Sequence, residues 1–173
     1  IDMAEEITIN KAKTAVVIMD YQNRQLSNFS DEFQREILQN ANNVLDGCRS
    51  KNVSVLYVEV VRGDRTPEIA IHDAITPKSG DKIFTKTRTG PFSTTDIDAV
   101  LKGLGIESLV LMGISTSGCV LTTVRWAYDI DYSVIVLSDC CADRDDEVHR
   151  VLMEKLFPRQ ATILTSKEFL GLL

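Results

Sequence analysis

The chain alternates short runs of β-branched and other apolar residues with longer amphipathic stretches. This alternation is typical of repeated strand-helix units packed around a parallel sheet. Three of the runs, AVVIM, SLVLM and SVIVL, are almost continuously apolar, as expected of strands covered by helices on both faces. We therefore predict a three-layer α/β/α, Rossmann-like fold with a six-stranded parallel sheet, its strands at residues 15–19, 54–60, 82–84, 108–112, 133–137 and 162–164.

The amphipathic stretches predict helices over residues 33–50, 94–104, 118–130 and 145–156, with a short helical piece after residue 166. Residues 62–80 contain two prolines and two glycines and form one long irregular connection, a kind of loop that is usually functional. The 173 residues show no internal repeat and no linker. We expect a single domain over residues 1–173, with residues 1–10 as a candidate N-terminal extension.

The charge balance restricts the partners. Acidic residues outnumber basic ones, 25 to 19, and the basic residues form no cluster. Phosphate binding needs a positive patch, so we expect no nucleic-acid partner. The longest apolar stretches, residues 15–19 and 53–61, are too short or too interrupted to cross a bilayer, and no signal-peptide pattern opens the chain. We expect a cytoplasmic protein without a membrane partner.

The cysteines and histidines exclude several kinds of site. Neither a disulfide framework nor a structural zinc site is expected of the four cysteines, which lack CxxC spacing and include an adjacent pair: Cys48, Cys119, Cys140 and Cys141. The two histidines, His72 and His149, are far apart and follow no nucleophile signature. A catalytic base, if there is one, is therefore expected to be another residue type.

Three chemically suggestive residues follow predicted strands, where ligands of an open parallel sheet bind. Asp20 follows the first strand, Lys86 the third, and Cys119 the fourth after a glycine-containing turn. Cys119 would begin a helix, whose positive N-terminal field would lower the thiol pKa, and a nearby lysine would lower it further. Asp20 would accept the thiol proton and pass it to a leaving amine. Taken singly, these residues are more typical of a core cysteine, a turn aspartate and a surface lysine, and their joint placement is what favours a catalytic site.

Other polar residues have structural interpretations. Asp139 and Asp143 are predicted to cap the helix that begins near Asp145, rather than to form a second acid/base pair. His72 is predicted to line the long loop or to satisfy a backbone group. Three arginines have the guanidinium fork that suits a substrate carboxylate, although surface solvation explains them as well: Arg62, Arg65 and Arg88.

In four segments the chain resembles the isochorismatase-like cysteine hydrolases. These segments are AVVIMDYQN, KIFTKTRTGPF, GISTSGCVLTTVRWAYDIDY and LSDCCADRDDEVH, which occur in the family's order along nearly the whole chain. The resemblance implies the strand order 3-2-1-4-5-6 and a catalytic triad of Asp20, Lys86 and Cys119. It also implies a small-molecule substrate and a homo-oligomer, either a dimer or a tetramer.

The resemblance further implies the surroundings of the nucleophile. It implies a cis peptide bond between Ile114 and Ser115, with the backbone amides of Ser115 and Cys119 forming the oxyanion hole. Three more residues are candidates for the substrate-binding site: Gln22, Arg62 and Arg88.

The departures from the family pattern also carry information. Metal-binding, nicotinamidase-type members have an Asp-x-His and a further His after the second strand, whereas this chain has only His72 there. We therefore expect no metal and no cofactor, and nicotinamide is disfavoured as substrate. Asp131 replaces a common glycine after the nucleophile helix, and aspartate tolerates the left-handed conformation of a helix cap. Gln25 stands where many members have an aromatic residue in the pocket wall.

These features predict a cysteine-dependent amidohydrolase that cleaves a C–N bond of a small amide, ureido or carbamoyl compound through a thioester. Isochorismatase-type or nicotinamidase-type hydrolysis is an alternative within the same family. A third interpretation is a non-catalytic binding or thiol-redox protein on the same fold.

Overall fold

Each of the six predicted strands is present. In the computed structural model, which describes residues 7–173, the strands are β1 (Thr14–Met19), β2 (Ser54–Val60), β3 (Lys82–Lys86), β4 (Ser108–Ile114), β5 (Ser133–Ala142) and β6 (Thr162–Leu164). Neighbouring strands are parallel, in the order β3-β2-β1-β4-β5-β6. The predicted fold class and strand order are therefore confirmed. Residues 1–6 of the predicted extension lie outside the part of the chain that the structure describes.

The helices follow the predicted stretches with shifted ends. Those in the described residues are α1 (Asn23–Leu26), α2 (Asp31–Ser50), α3 (Ile97–Gly103), α4 (Leu121–Asp129), α5 (Asp146–Val151) and α6 (Ser166–Gly171). A π-helical turn, Thr116–Val120, leads directly into α4, and a second, Leu152–Leu156, extends α5. The short α1 was not predicted, because four residues are too few to show a helical period.

The sheet separates two apolar layers. Successive residues of a strand point to opposite faces, and on β1 Val17 and Met19 belong to one core cluster while Val16 and Ile18 belong to the other. The first cluster includes buried residues of α3, α4 and the Leu152–Leu156 turn, and the second includes those of α1, α2 and α6. This is the predicted three-layer arrangement, and it explains why the central strands are apolar throughout.

One helix-cap prediction was wrong. The cap of α5 is Asp145, whose carboxylate accepts hydrogen bonds from the amides of Glu147 and Val148 at 2.9 and 3.1 Å. Strand β5 continues five residues beyond its predicted end, so Asp139 lies within it, at the start of α6. There its carboxylate accepts from the Ser166 amide at 2.7 Å and the Ser166 hydroxyl at 2.6 Å.

Two further features agree with expectation. Asp131 adopts a left-handed φ of 71° just after α4, as its residue type allows. The long connection from β2 to β3 contains two 3₁₀ turns, Pro67–Ile69 and Asp73–Ile75, and its Ile71 forms an antiparallel bridge with Gln22. Within residues 7–173, no helix has the length and apolar character needed to cross a membrane.

Candidate active site

A cavity of about 710 Å³ opens at the carboxyl edge of the sheet, where β1 and β4 are neighbours and the strand order reverses. Its volume lies in the range that holds small-molecule ligands. Asp20, Lys86 and Cys119 all line it, so residues that are up to 99 positions apart in sequence meet in one place. All three are almost completely buried, at 5%, 1% and 2% exposure.

Asp20 and Lys86 form a buried ion pair. Asp20 directly follows β1 with a left-handed φ of 59°, and its amide donates to the Val58 carbonyl at 2.8 Å. Lys86, the last residue of β3, donates from Nζ to Asp20 Oδ2 at 2.8 Å and also to the Thr89 carbonyl. Asp20 Oδ1 has no hydrogen-bond partner among the residues of the described chain. The pair therefore holds one carboxylate oxygen and leaves the other unbonded.

The Thr116–Val120 turn presents Cys119 to the cavity. The Ser115 carbonyl accepts hydrogen bonds from the amides of Gly118 at 3.2 Å and Val120 at 3.3 Å, and the Cys119 thiol lies 3.5 Å from the same oxygen. The peptide bond between Ile114 and Ser115 is cis, as the family resemblance implied. The turn is therefore organised around one carbonyl, that of Ser115.

Burial raises the pKa of the Cys119 thiol well above its ordinary value, and the negative charge of Asp20 raises it further, against an opposite effect of Lys86. Burial also raises the pKa of Asp20, although the Lys86 charge and hydrogen bond lower it. The expected lowering of the thiol pKa was therefore wrong: removing the thiolate from water outweighs the effect of the lysine. The raised pKa favours the protonated form of the thiol.

Two hydrogen bonds from neighbouring elements hold the Thr116–Val120 turn. Asp143 accepts from the Ser117 amide at 2.8 Å, and the Thr116 hydroxyl bonds His149 Nδ1 at 2.7 Å. Burial lowers the pKa of His149, which favours its neutral form. Sequence analysis did not find either contact, since both side chains come from residues beyond β5 and become neighbours of the turn only in the folded chain.

The predicted oxyanion hole consists of the Ser115 and Cys119 amides. The Ser115 amide donates to no acceptor within residues 7–173. The Gly118 and Val120 amides, in contrast, are already bonded to the Ser115 carbonyl. Ile114 lines the cavity at the end of β4, directly before the cis bond.

The structure separates the other substrate-binding candidates. Arg62 and Arg88 line the cavity, and Arg62 Nε donates to the Thr87 carbonyl at 3.0 Å. Gln22 is fully buried outside the cavity lining, and its amide bonds the backbone of Val60 and Ile69. It holds the loop after β2 rather than facing a ligand.

Arg65 and His72 also have structural partners. Arg65 is an ion-pair partner of the buried Glu59, at 2.5 Å, and does not line the cavity. His72 accepts from the Ala74 amide at 3.1 Å, as predicted for a residue that satisfies the backbone. No group of three potential metal-ligating side chains occurs in residues 7–173.

Sequence analysis missed several residues of the cavity wall, although the family resemblance had already placed Gln25 there. Arg24, Gln25 and Asn28 enter it from α1 and the turn that follows, and Arg144 enters it after β5. The long loop contributes only its first part, through Ile69. The position of Arg24 just after the first strand was the available signal for the residues that were missed.

Comparison with known proteins gives consistent matches. The family model described as the isochorismatase domain matches residues 14–168, which include Asp20, Lys86 and Cys119. Ureidoacrylate amidohydrolase RutB from Agrobacterium fabrum is 28% identical over 96% of this chain and 88% of that protein.

Solved structures show the same architecture. An isochorismatase family protein from Burkholderia thailandensis superposes with a TM-score of 0.87 and 25% identity, covering 96% of this chain and 97% of that chain. N-carbamoylsarcosine amidase from Thermoplasma acidophilum shares the fold, with a TM-score of 0.78 and 24% identity over 89% of this chain and 96% of that chain.

Proposed function

Because the chain belongs to the isochorismatase family and is a hydrolase of that family, we propose that it cleaves the C–N bond of a small amide, ureido or carbamoyl compound, with Cys119 as nucleophile. The observation that carries this proposal is the Asp20 carboxylate beside the thiol, which has one hydrogen-bonded oxygen and one without a partner. Lys86 holds Asp20 Oδ2, while Oδ1 stays unbonded in the cavity that Cys119 also lines.

In the proposed first half-reaction, Asp20 takes the thiol proton as the sulfur attacks the substrate carbonyl carbon. The Ser115 and Cys119 amides stabilise the oxyanion of the tetrahedral intermediate. Asp20 then gives the proton to the leaving nitrogen while the C–N bond breaks, which leaves a thioester. The raised pKa of Asp20 suits this role, because a base works best when its pKa lies nearer the working pH.

In the second half-reaction, Asp20 takes a proton from a water molecule while the water oxygen attacks the thioester carbonyl carbon. The C–S bond breaks, the thiolate regains the proton, and the acid product leaves. Lys86 keeps its charge beside Asp20 throughout and orients the carboxylate. The cycle restores the thiol and the Asp20 carboxylate, because the thiol proton leaves with the amine and a proton from water replaces it, and it needs no cofactor.

The charge of the cavity supports an anionic substrate. Five cationic and three anionic side chains line it, although the whole chain has a net charge of −6. We propose that Arg62 and Arg88 bind a carboxylate, since the guanidinium fork suits that group. The ureidoacrylate amidohydrolase relative acts on a ureido acid by its name, which agrees with this class.

The family resemblance also supports a homo-oligomer. Trp126 and Tyr128 of α4 are 42% and 49% exposed, and Trp126 stacks on Phe92 at 6.2 Å between ring centroids. These side chains offer apolar surface for such an assembly.

The test is ammonia release from a panel of small amides, ureido acids and carbamoyl compounds. Cys119→Ala is expected to lower kcat/KM for the best substrate by at least about 10³-fold, because no other group replaces the nucleophile. Cys48→Ala is the matched control, since Cys48 is buried in the core of the α2 layer and lines no part of the cavity. Full activity in Cys119→Ala would contradict the proposal.

A further inference from the structure

The cavity contains a second unpaired acceptor besides Asp20. Buried polar atoms in proteins almost always have hydrogen-bond partners. Within residues 7–173, two buried side-chain atoms lack one: Asp20 Oδ1 and Gln25 Oε1. Both residues line the cavity that contains Cys119. Two unpaired acceptors in one ligand-sized cavity, with none elsewhere in the described chain, indicate that this site is built to meet proton donors.

The two acceptors have different tasks. Asp20 faces the thiol and is ionisable, so it suits proton transfer. A glutamine amide does not titrate and offers only a fixed acceptor and donor. In the cavity wall, a glutamine side chain therefore suits recognition of a substrate group rather than proton transfer. We propose that Gln25 accepts a hydrogen bond from an N–H group of the substrate and thereby selects amides and ureido compounds over esters and other carbonyl compounds without N–H.

The segment that contains Gln25 is fixed before any ligand binds. The Asn28 side chain donates to the backbone carbonyls of Arg24 and Gln25, both at 3.0 Å, which closes the short α1 turn. The Asn23 amide and side chain are bonded to the loop at the carbonyls of Ala70 and Pro67, at 3.0 and 2.8 Å. The backbone of Gln25 is therefore held, while its side-chain amide makes no hydrogen bond within the described residues.

Gln22 provides an internal comparison. It lies three residues earlier and has the same side chain, but both ends of its amide are bonded to backbone groups of Val60 and Ile69. The chain can thus satisfy a buried glutamine where the role is structural. In Gln25, by contrast, the side-chain Oε1 has no hydrogen-bond partner within the described residues, and the residue lines the cavity.

The experiment compares an amide with the methyl ester of the same acid, beginning with succinamate and monomethyl succinate. Both give succinate, so one assay follows both, and only the amide has an N–H. Gln25→Met removes the amide group at similar size, and Gln25→Glu keeps acceptor oxygens. Gln39→Met makes the same replacement at an exposed glutamine of α2 that lies outside the cavity lining.

Gln25→Met is expected to lower kcat/KM about tenfold for the amide and to leave the ester within about twofold, because only the amide loses a hydrogen bond. Gln25→Glu should retain the amide preference, and Gln39→Met should change neither substrate. Equal losses on both substrates, no loss on the amide, or loss of the preference in Gln25→Glu would each overturn the inference.

This inference rests on the proposed amidohydrolase function, and the two fail differently. If the wild-type protein hydrolyses no amide in the panel, or if Cys119→Ala still does, the proposed function falls and the role of Gln25 falls with it. If the wild-type protein is active and the amide-to-ester ratio is the same in Gln25→Met, only the role of Gln25 falls.

Discussion

Burial determines the chemistry of the Cys119 thiol. A cysteine near the beginning of a helix and close to a lysine is commonly a thiolate, but here loss of hydration and the Asp20 charge raise the thiol pKa. In the proposed mechanism the thiolate therefore forms within the reaction, when a substrate carbonyl is present and Asp20 takes the proton.

The raised thiol pKa predicts slow alkylation of the unliganded protein at neutral pH. Since only the thiolate reacts, the rate of Cys119 modification by iodoacetamide should rise about tenfold per pH unit between about pH 7 and pH 9. Peptide mass mapping of timed samples measures this rate. A rate that is already independent of pH in this range would contradict the raised pKa.

The other thiols provide the background for that measurement. Burial raises the pKa of Cys48 and of Cys141 to about 12, and it also raises the pKa of Cys140. The variant Cys119→Ala should therefore show only slow labelling over the same pH range.

The Asp20–Lys86 pair predicts strong coupling in stability. Asp20→Asn leaves the Lys86 ammonium buried without its counter-charge, and Lys86→Met does the same to the carboxylate. Each single variant should lower the free energy of unfolding by about 3 kcal/mol or more. The double variant should lose clearly less than the sum of the two, because it buries no unpaired charge. Urea denaturation measures this cycle, and simple additivity of the losses would contradict it.

At the scale of elements, the Thr116–Val120 turn, which contains Cys119, is packed tightly against the end of β4. The π-helical turn lies between β4 and α4, with Asp143 and His149 bonded to its first residues. Gly113 in β4 makes this approach possible. A Cβ built there would lie 2.9 Å from Val120 Cγ2, 3.0 Å from Cys119 Sγ and 3.3 Å from the Met19 carbonyl.

Gly113→Ala is therefore expected to displace the thiol. The activity should fall by about 10²-fold, since a shift of about 1 Å in a reacting group has that effect. The free energy of unfolding should fall by about 1 to 3 kcal/mol through overpacking. Gly103→Ala at the end of α3 is the control: its Cβ meets no atom within 4 Å, so both quantities should stay near wild type. Equal behaviour of the two variants in turnover and urea denaturation would refute the packing argument.

At the scale of the whole molecule, the parallel sheet gathers charge of one sign. The reversal of strand order between β1 and β4 brings the ends of β1, β3 and β4 around one cavity. Arginines from four separate segments then meet there, although no basic cluster exists in the sequence. An acidic protein thus acquires a positively charged cavity through its topology alone.

The whole-molecule arrangement also predicts independence from metal. The proposed cycle moves protons between Cys119, Asp20 and substrate, with stabilisation by Lys86 and backbone amides. Turnover should therefore survive exhaustive chelation within about twofold, and elemental analysis of the active protein should find no stoichiometric metal. Loss of activity on chelation, with recovery on adding a divalent cation, would require a different account of the second half-reaction.

Local pattern in the sequence was sufficient for the fold and for the three polar residues. Apolar patterning predicted all six strands, and it did so most clearly for the central ones, because burial on both faces requires continuous apolar runs. The ends of the first, third and fourth strands pointed to Asp20, Lys86 and Cys119, and the family resemblance gave the strand order and the cis bond at Ile114. Errors came where polar residues interrupt an element, as at Asp139 within β5.

Tertiary structure alone decided how these residues behave. The thiol pKa depends on how completely the fold removes water from Cys119 and on which charge lies beside it, and neither is encoded in the neighbouring sequence. The same holds for the contrast between Gln22 and Gln25, which are the same residue type but differ in burial and in whether backbone groups bond to the side-chain amide. The sequence determines which polar side chains the protein has. Packing determines which of them remain without a hydrogen-bond partner and accessible to a ligand, because hydration and hydrogen-bond partners depend on distant parts of the chain.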